Sequence, residues 1–201
     1  MLIRRGDFGL GVLCWKKITN LFIWQRMNQA DNTMIPVWRE GQLVPFDKLE
    51  AHRLGLRHKA VSVFLLSEAG VLLQQRAAGK YHTPDLWANT CCTHPHWEEA
   101  AESCAHRRLE EELGITGVTL EWREQVEYRA DVGGGLVEHE VVDIFVGNVD
   151  QDLALNLNAN EVQATRWLSR AALEADLKAQ PNVYTPWLQI YLADHAFAIF
   201  R

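Results

Sequence analysis

The sequence predicts an α+β protein in which helices pack on the faces of a mixed β-sheet. Segments that alternate apolar and polar residues, typical of strands, are interleaved with segments whose apolar residues recur every three or four positions, typical of helices. The glycine-rich stretch 131–135 lies between two strand patterns and predicts an antiparallel hairpin. The 201 residues contain no repeat and no long linker, so most of the chain is expected to form a single domain.

Five strands are predicted from the alternation, at about 60–66, 71–75, 118–130, 136–146 and 161–168. A helix is predicted over Glu99–Leu113, because apolar residues at 101, 105, 109 and 113 fall on one face and Gly114 suits the helix end. Two more helices are expected, at about 171–178 and from Pro186 to the chain end, since proline suits a first helical turn.

Composition excludes several classes of protein. The net charge of −6 lacks the basic excess of a nucleic-acid-binding protein, although a local basic pocket for a small anion remains compatible with it. Four cysteines in a chain of this size do not form a disulfide framework and indicate a reducing compartment, the cytoplasm. No apolar run is long enough to predict a membrane helix.

The first 26 residues differ from the rest in charge, with five basic residues and one acidic residue (5 − 1 = +4). They could be an organellar leader, or translation could start at Met27 or Met34; we favour the second interpretation. Residues 1–33 are therefore treated as an N-terminal extension outside the core, and residues 34–201 as a single domain.

Two carboxylates mark one predicted strand. Glu138 and Glu140 are two residues apart, so both point to the face that also carries Val142 and Ile144. A buried carboxylate needs a metal or a partner. Edge charges exposed to solvent are an equally good interpretation from the sequence alone.

Imidazole and thiol groups could complete a site with these carboxylates. His52, His58 and His94 are the ligand type that Zn²⁺ or Mn²⁺ accepts beside carboxylate, provided that they converge in space. Cys92 could transfer a proton or act as a nucleophile, and Trp187 could offer its ring face to a cation. The competing interpretation of each residue, taken singly, is ordinary packing.

Basic residues indicate an anion site. Arg108 and Glu112 share a helix face, where they could hold an anionic oxygen and Mg²⁺, or could form a solvated salt bridge. Lys48, Arg76 and Lys80 could bind phosphate oxygens, or could belong to ordinary basic loops.

Together these residues resemble the Nudix family. The span from Thr93 to Ile115 is a degenerate Nudix box, G-x5-E-x7-R-E-U-x-E-E-x-G-U, where U is apolar. Thr93 stands in place of the glycine and Arg108 in place of a metal-binding glutamate. The second change removes one carboxylate and disfavours hydrolysis, although Glu111 and Glu112 remain.

Five further segments are similar to type I isopentenyl diphosphate isomerase, one branch of that superfamily: KLEAH, RHKA, LWANTCCTHP, YRADVGGGLVEHEV and TPW. The similarity runs from about Lys48 to Trp187. It implies a Nudix-like α/β/α sandwich and a metal-dependent, flavin-independent interconversion of isopentenyl and dimethylallyl diphosphate. The implied enzyme is cytoplasmic, a monomer or weak homodimer, with a small diphosphate substrate and no nucleic-acid or membrane partner.

The resemblance also implies a role for each candidate residue. A first site would hold Mn²⁺, Zn²⁺ or Mg²⁺ through His52, His58, His94, Glu138 and Glu140. A Mg²⁺ bound with the diphosphate would be held by Glu112. The diphosphate would be bound by Lys48, Arg76, Lys80 and Arg108. Proton transfer would use Cys92 and Glu140, assisted by Tyr128, and Trp187 would face the reacting carbons.

Two other functions compete with this hypothesis. A Nudix hydrolase of a nucleoside diphosphate derivative predicts an intact carboxylate set, which Arg108 interrupts. A small zinc-stabilised binding module predicts closely spaced Cys and His pairs, and the candidate ligands here are widely separated.

Overall fold

The computed structural model describes residues 33–201, so the expectations for the leader and the start site lie outside the described residues. Within 33–201 the chain forms nine strands and five α-helices. In chain order they are β1 Met34–Arg39, β2 Gln42–Asp47, α1 Lys48–Leu54, β3 Arg57–Ser67, β4 Gly70–Arg76, β5 Trp87–Ala88, β6 Cys91–Thr93, α2 Ala101–Leu113, β7 Glu121–Gly133, β8 Leu136–Asn148, β9 Val162–Leu168, α3 Arg170–Ala179, α4 Pro186–Asp194 and α5 Ala196–Phe200. A short 3₁₀ turn, Pro181–Val183, precedes α4.

All nine strands belong to one mixed sheet built around β3. This strand pairs antiparallel with β1, β4 and β6, and parallel with β8. The predicted hairpin is confirmed: β7 and β8 pair antiparallel across the glycine turn. The parallel β3–β8 pair joins two segments that lie far apart in the sequence.

Helices cover both faces of the sheet, as the α/β/α sandwich requires. Alternate residues of β3 enter different cores, because successive side chains of a strand point to opposite faces. Ala60 and Phe64 pack with helices α3 and α4, through residues such as Leu188. Val61 and Val63 pack with α2, through residues such as Leu109. The predicted fold class is therefore confirmed.

Helix α2 ends where its sequence predicts and begins two residues later. Gly114 adopts a left-handed conformation (φ 70°); its N–H donates to the Glu110 carbonyl, and the next N–H, of Ile115, donates to the Leu109 carbonyl. A Cβ at this position would lie 2.6 Å from Asn156 Cβ, so glycine is needed for space as well as for conformation. Glu99 was expected inside the helix, but its side chain accepts hydrogen bonds from Arg107 and from the His96 N–H ahead of the helix.

Four parts of the fold differ from the sequence prediction. The short strands β5 and β6 were not predicted, because two or three residues are too few to show alternation. The β1–β2 hairpin and α1 were not predicted, because Pro36 and Pro45 obscure the strand pattern and α1 spans only seven residues. The strand expected from 118 begins at Glu121. The helix expected from Pro186 to the end is interrupted at His195 and continues as α5. Among the described residues, no helix is long and apolar enough to span a membrane.

Candidate active site

One pocket brings the candidate residues together. It is lined by Lys48, Arg76, Lys80, Tyr81, His82, Cys92, Thr93, His94, Arg108, Glu112, Glu138, Glu140 and Trp187. The three remaining candidates, His52, His58 and Tyr128, lie directly beside it, in contact with His94 or Glu140. The structure adds Tyr81, His82 and Thr93 to the lining, none of which was selected from the sequence.

Strand register explains this convergence. Glu140 on β8 lies opposite His58 on β3 and opposite Tyr128 on β7, so three adjacent strands place their functional side chains in one row. Cys92 on β6 lies opposite Ser62, four residues along β3 and on the same face as His58. Positions far apart in the chain thus form one site on one face of the sheet.

Four ligand groups converge at the centre of this row. Single ligand atoms of His52, His58, His94 and Glu140 all lie within 4.8 Å of one another. His94 Nε2 lies 2.8 Å from Glu140 Oε1, and His58 Nε2 lies 3.6 Å from the same oxygen. Glu138, expected in the same set, groups instead with His52 and His82. The candidate metal ligands therefore form two overlapping groups that share His52.

The tautomers of two histidines fit a divalent cation. His52 Nδ1 lies 2.6 Å from the Lys48 carbonyl oxygen, and His58 Nδ1 lies 2.6 Å from the Leu56 carbonyl oxygen. A carbonyl only accepts, so each Nδ1 carries the proton and each Nε2 keeps a free lone pair. Both Nε2 atoms are buried, and neither has a hydrogen-bond partner among residues 33–201. Such orphaned lone pairs beside a buried carboxylate are the donor set that a divalent metal uses.

Burial keeps the imidazoles in the neutral form that a metal requires. Burial, with a contribution from His58, lowers the pKa of His52 to about 4. Burial also lowers the pKa of His94 to about 3, although its hydrogen bond to Glu140 acts in the opposite direction. Neutral rings bind metals, because protonation would occupy the lone pair.

The two buried glutamates are shifted in opposite directions. Burial alone would raise the pKa of Glu140, but the neighbouring His58 and His94 outweigh it and hold this pKa well below its ordinary value. Burial and the Glu140 charge raise the pKa of Glu138 well above its ordinary value. Tyr128 lies between them, with its hydroxyl 2.9 Å from Glu138 Oε2 and 2.7 Å from Glu140 Oε2. A protonated Glu138 can thus donate to Tyr128 while Tyr128 donates to Glu140.

Cys92 lies on the same face with two polar neighbours that the sequence did not reveal. Its Sγ is 3.2 Å from Ser62 Oγ, which donates to the Tyr191 hydroxyl at 2.9 Å. Burial raises the pKa of Cys92, and the nearby carboxylates of Glu140 and Glu138 raise it further. Cys91 points into the opposite core and is fully buried, so its role is packing.

The basic residues of the pocket already form ion pairs or hydrogen bonds with other groups of the protein. Arg76 Nη2 and Nε contact the carbonyls of His82 and Thr83 at 3.2 Å. Lys80 Nζ lies 2.5 Å from Glu161 Oε2, and Arg108 Nη2 lies 3.4 Å from Glu161 Oε1. Glu161 was not selected from the sequence, because a single acidic residue at the start of a strand carries no specific signal.

Arg108 also binds the carboxylates that remain of the Nudix box. Its Nη2 lies 2.6 Å from Glu112 Oε1 and its Nη1 lies 2.9 Å from Glu111 Oε2. The other Glu112 oxygen accepts from Gln74 Nε2 at 2.9 Å. Arg108 and Glu112 do share a face, as predicted, but here they are bound to each other. Any Mg²⁺ at Glu112 must compete with this pair.

Trp187 forms a fixed wall of the pocket. It is 1% exposed, and its Nε1 donates to Asn89 Oδ1 at 3.2 Å, which sets the orientation of the indole. The Arg76 guanidinium carbon lies 5.3 Å from the ring centroid. The ring is therefore already placed to contact positive charge.

Known proteins similar to this chain agree in fold and family. Residues 56–188 match the NUDIX domain family. A protein from Cereibacter sphaeroides called isopentenyl-diphosphate Delta-isomerase is 60% identical over 167 residues, which cover 83% of this chain and 94% of that protein. A protein of the same name from Jannaschia sp. is 58% identical over 83% of this chain and 95% of its own length.

Solved structures of lower sequence identity share the fold. DR0079 from Deinococcus radiodurans matches with a TM-score of 0.63 at 14% identity, over 84% of this chain and 99% of its own. A MutT protein from Methanosarcina mazei matches with a TM-score of 0.54 at 16% identity, over 68% of this chain and 91% of its own. Both likenesses concern the architecture only.

Proposed function

The chain belongs to the NUDIX domain family and, within it, to the isopentenyl-diphosphate Delta-isomerases, and we propose that it interconverts isopentenyl diphosphate and dimethylallyl diphosphate. One observation carries this proposal beyond the family name. Two proton-transfer groups, Cys92 and Glu140, line the same pocket as a cluster of cationic side chains and one indole face. A double-bond shift on a diphosphate needs proton-transfer groups, cations that bind the diphosphate and a group that stabilises the positive intermediate.

Proton transfer falls to Cys92 and Glu140. Moving the double bond by one carbon adds a proton at one carbon and removes a proton from another. Since the reaction runs in both directions, each group acts as an acid in one direction and as a base in the other. Tyr128 holds Glu140 at 2.7 Å and assists it, and Ser62 does the same for the Cys92 thiol at 3.2 Å.

Divalent metals complete the site in this proposal. The cluster of His52, His58, His94 and Glu140 would hold one cation, as Mn²⁺, Zn²⁺ or Mg²⁺, with Glu138 beside it; its chemistry would be to fix and polarise the carboxyl groups. A Mg²⁺ that accompanies the diphosphate would bind at Glu112. The two unpartnered imidazole nitrogens are the strongest support for the first cation.

The diphosphate would bind to Lys48, Arg76, Lys80 and Arg108. Lys80 and Arg108 both contact Glu161, so a more highly charged diphosphate would take over cations that a single carboxylate holds in its absence. Binding energy gained at this remote group would orient the reacting carbons between Cys92 and Glu140.

Trp187 would face the positively charged intermediate. Protonation of the double bond creates carbocation character at a tertiary carbon, in a pocket from which water must be excluded. An indole face stabilises such a charge by about 2 kcal/mol or more when the contact is desolvated. The hydrogen bond to Asn89 supports this role, because it prevents the ring from turning away.

A hydrolase function is disfavoured by Arg108. A Nudix hydrolase needs free carboxylates in the box to gather metals, whereas here one guanidinium binds both Glu111 and Glu112. Arg108 competes with metal ions for these two carboxylates and adds a cation for the diphosphate.

We further propose a monomer or weak homodimer in the cytoplasm. Cys91, Cys92 and Cys104 are free thiols in the structure, and a reducing compartment would keep Cys92 able to exchange a proton.

An NMR experiment in D₂O tests the function. We expect the protein with Mg²⁺ and Mn²⁺ to convert isopentenyl diphosphate into deuterium-labelled dimethylallyl diphosphate without releasing phosphate. The Cys92→Ala variant should lose turnover, while the Cys91→Ala variant keeps it, because the neighbouring thiol faces the opposite core. Cleavage of nucleoside diphosphate derivatives without isomer formation would refute the proposal.

A further inference from the structure

His82 lines the pocket, but neither the sequence pattern nor the proposed mechanism gives it a role. It is 7% exposed and lies between the diphosphate-binding cations and the buried carboxylates. Three aromatic neighbours confine its ring. It stacks on His52 with centroids 5.8 Å apart, and it meets the edges of Tyr81 at 4.4 Å and Trp187 at 6.1 Å.

The neighbours of Nδ1 determine which ring nitrogen carries the proton. His82 Nδ1 lies 3.0 Å from Thr83 Oγ1 and 3.5 Å from Arg76 Nη2. A guanidinium has only donors, whereas a hydroxyl can donate or accept. The Arg76 contact therefore favours Nδ1 as the acceptor in this ring, with the proton on Nε2.

The protonated Nε2 faces a metal-site carboxylate. It lies 4.0 Å from Glu138 Oε1, about 1 Å beyond hydrogen-bond length. The other Glu138 oxygen is held by Tyr128 at 2.9 Å, and a rotation of the carboxyl group about that contact would bring Oε1 to the ring.

We propose that His82 is a positioning residue that donates a hydrogen bond from Nε2 to Glu138 and fixes this carboxylate for metal binding. The proposal rests on the metal role of Glu138 proposed above. It joins Arg76, His82, Glu138, Tyr128 and Glu140 in one chain of hydrogen bonds, which runs from the diphosphate cations to the proton-transfer group.

Direct metal ligation by His82 is the competing interpretation, because Glu138, His52 and His82 are close enough to share a cation. A ligand needs a lone pair on Nε2, so Nδ1 would have to carry the proton toward Arg76. Two donors would then face each other at 3.5 Å. The tautomer therefore favours the hydrogen-bonding role.

Two variants separate the contacts of the ring. His82→Gln places an amide N–H near the position of Nε2, and His82→Asn reaches only the position of Nδ1. We expect calorimetric titration of the metal-free protein with Mn²⁺ to give an affinity for the Gln variant within about threefold of the parent. The Asn variant should bind Mn²⁺ about 10–100-fold more weakly, the usual effect of losing a partner that orients a ligand.

The control is His106→Asn, a histidine on α2 outside the pocket, which should titrate like the parent. Circular dichroism confirms that each variant is folded. Parent-like Mn²⁺ affinity in the Asn variant would overturn the proposal, as would equal weakening in both variants.

Electron spin echo spectroscopy of the Mn²⁺-loaded proteins counts coordinated imidazole nitrogens. We expect the same number in the parent and in His82→Gln; one nitrogen fewer in the variant would establish direct ligation and overturn the positioning role. These readouts concern metal binding alone. A protein that binds Mn²⁺ as expected but forms no dimethylallyl diphosphate would refute the proposed function and leave the inference about His82 standing.

Discussion

Two acid-rich regions border the same pocket and satisfy their charges in opposite ways. On and just before helix α2, the three carboxylates that match the Nudix motif each have a guanidinium partner: Arg107 binds Glu99 and Glu111, and Arg108 binds Glu111 and Glu112. Around strands β3 and β8, the buried carboxylates Glu138 and Glu140 of β8 have no guanidinium partner among the described residues. Within the same part of the chain, the Nε2 atoms of His52 and His58 have no hydrogen-bond partner.

This difference indicates that the charges of the α2 region stabilise the fold, whereas those of the β3–β8 region form the candidate site. Paired charges on α2 are complete within the chain, so they hold the helix and its loop in place. Removing a buried carboxylate from water costs several kcal/mol unless a positive charge arrives. The β3–β8 region therefore offers ligands that could hold an external cation, whereas the α2 region already contains its own cations.

The sharpest test of the unpaired region is Glu140→Gln. We expect kcat to fall by about 10³-fold or more, since general acid–base catalysis contributes about 10²–10⁴-fold and this variant also removes a proposed metal ligand. The melting temperature should change little, because the variant also removes an uncompensated buried charge. Steady-state kinetics of Glu127→Gln, an exposed carboxylate on the adjacent strand, give the control. A loss below tenfold in Glu140→Gln would remove this residue from the mechanism.

The paired region is tested by Arg108→Gln. The variant leaves Glu112, 3% exposed, without its cation, and we expect the free energy of unfolding to fall by about 3 kcal/mol. KM for isopentenyl diphosphate should also rise, by about 10–100-fold. In the double variant that also carries Glu112→Gln, urea unfolding should show that much of the lost free energy of unfolding is restored. Kinetics should show that KM remains raised. Equal recovery of both would mean that Arg108 acts only through Glu112.

Metal removal should affect the unpaired region alone. At a metal concentration of about 100 times Kd, binding stabilises the native state by about 2.7 kcal/mol. For a chain of this length we expect a rise in melting temperature of several degrees on adding Mn²⁺ to chelator-treated protein. Glu140→Gln should show a much smaller rise under the same scan. An identical rise in both proteins would locate the stabilising metal elsewhere.

The smallest effect is expected at Glu99. Its hydrogen bonds from Arg107 lower the pKa of Glu99 to about 2 from the ordinary 4.5. Because the pKa is lower in the folded state, this stabilisation is present above about pH 4.5 and is lost as the pH falls toward 2.

We therefore expect Glu99→Gln to lower the free energy of unfolding by about 1 kcal/mol at pH 7, since solvent screens part of the interaction. The difference from the parent should shrink at pH 3. Glu102→Gln, exposed on the same helix, is the control for both pH values. A difference that stays constant down to pH 3 would contradict the role of the ion pair.

The sequence patterns predicted the features that depend only on neighbouring residues. The row of apolar residues predicted α2, and the spacing of Glu138 and Glu140 predicted that both point to one face. The spacing left open whether that face is buried or exposed, and the structure shows both carboxylates buried. Resemblance to the family, rather than pattern, grouped the three histidines with these glutamates. Their convergence depends on the parallel pairing of β3 with β8, which no short-range signal specifies.

The residues missed by sequence analysis are polar side chains in unremarkable settings. Ser62 lies in an apolar strand, where a single serine does not stand out from the alternating pattern. Its position four residues after His58, on the same face of the strand, is the signal that could have identified it. Glu161 and His82 are single charged or titratable residues in loops or at strand ends. Their importance comes from neighbours that only the folded chain brings near them.

The pairing of His58 with Glu140 also sets when the site can form during folding. Parallel strands joined by a long segment pair slowly, because the loop between them must close before any contact compensates for the lost entropy. Helix α2 can form earlier, because its contacts are between neighbouring residues. The group of His52, His58, His94 and Glu140 is complete only after β3 and β8 have paired. A bound ion should therefore leave the folding rate nearly unchanged and slow unfolding instead, so its protection of the protein is kinetic.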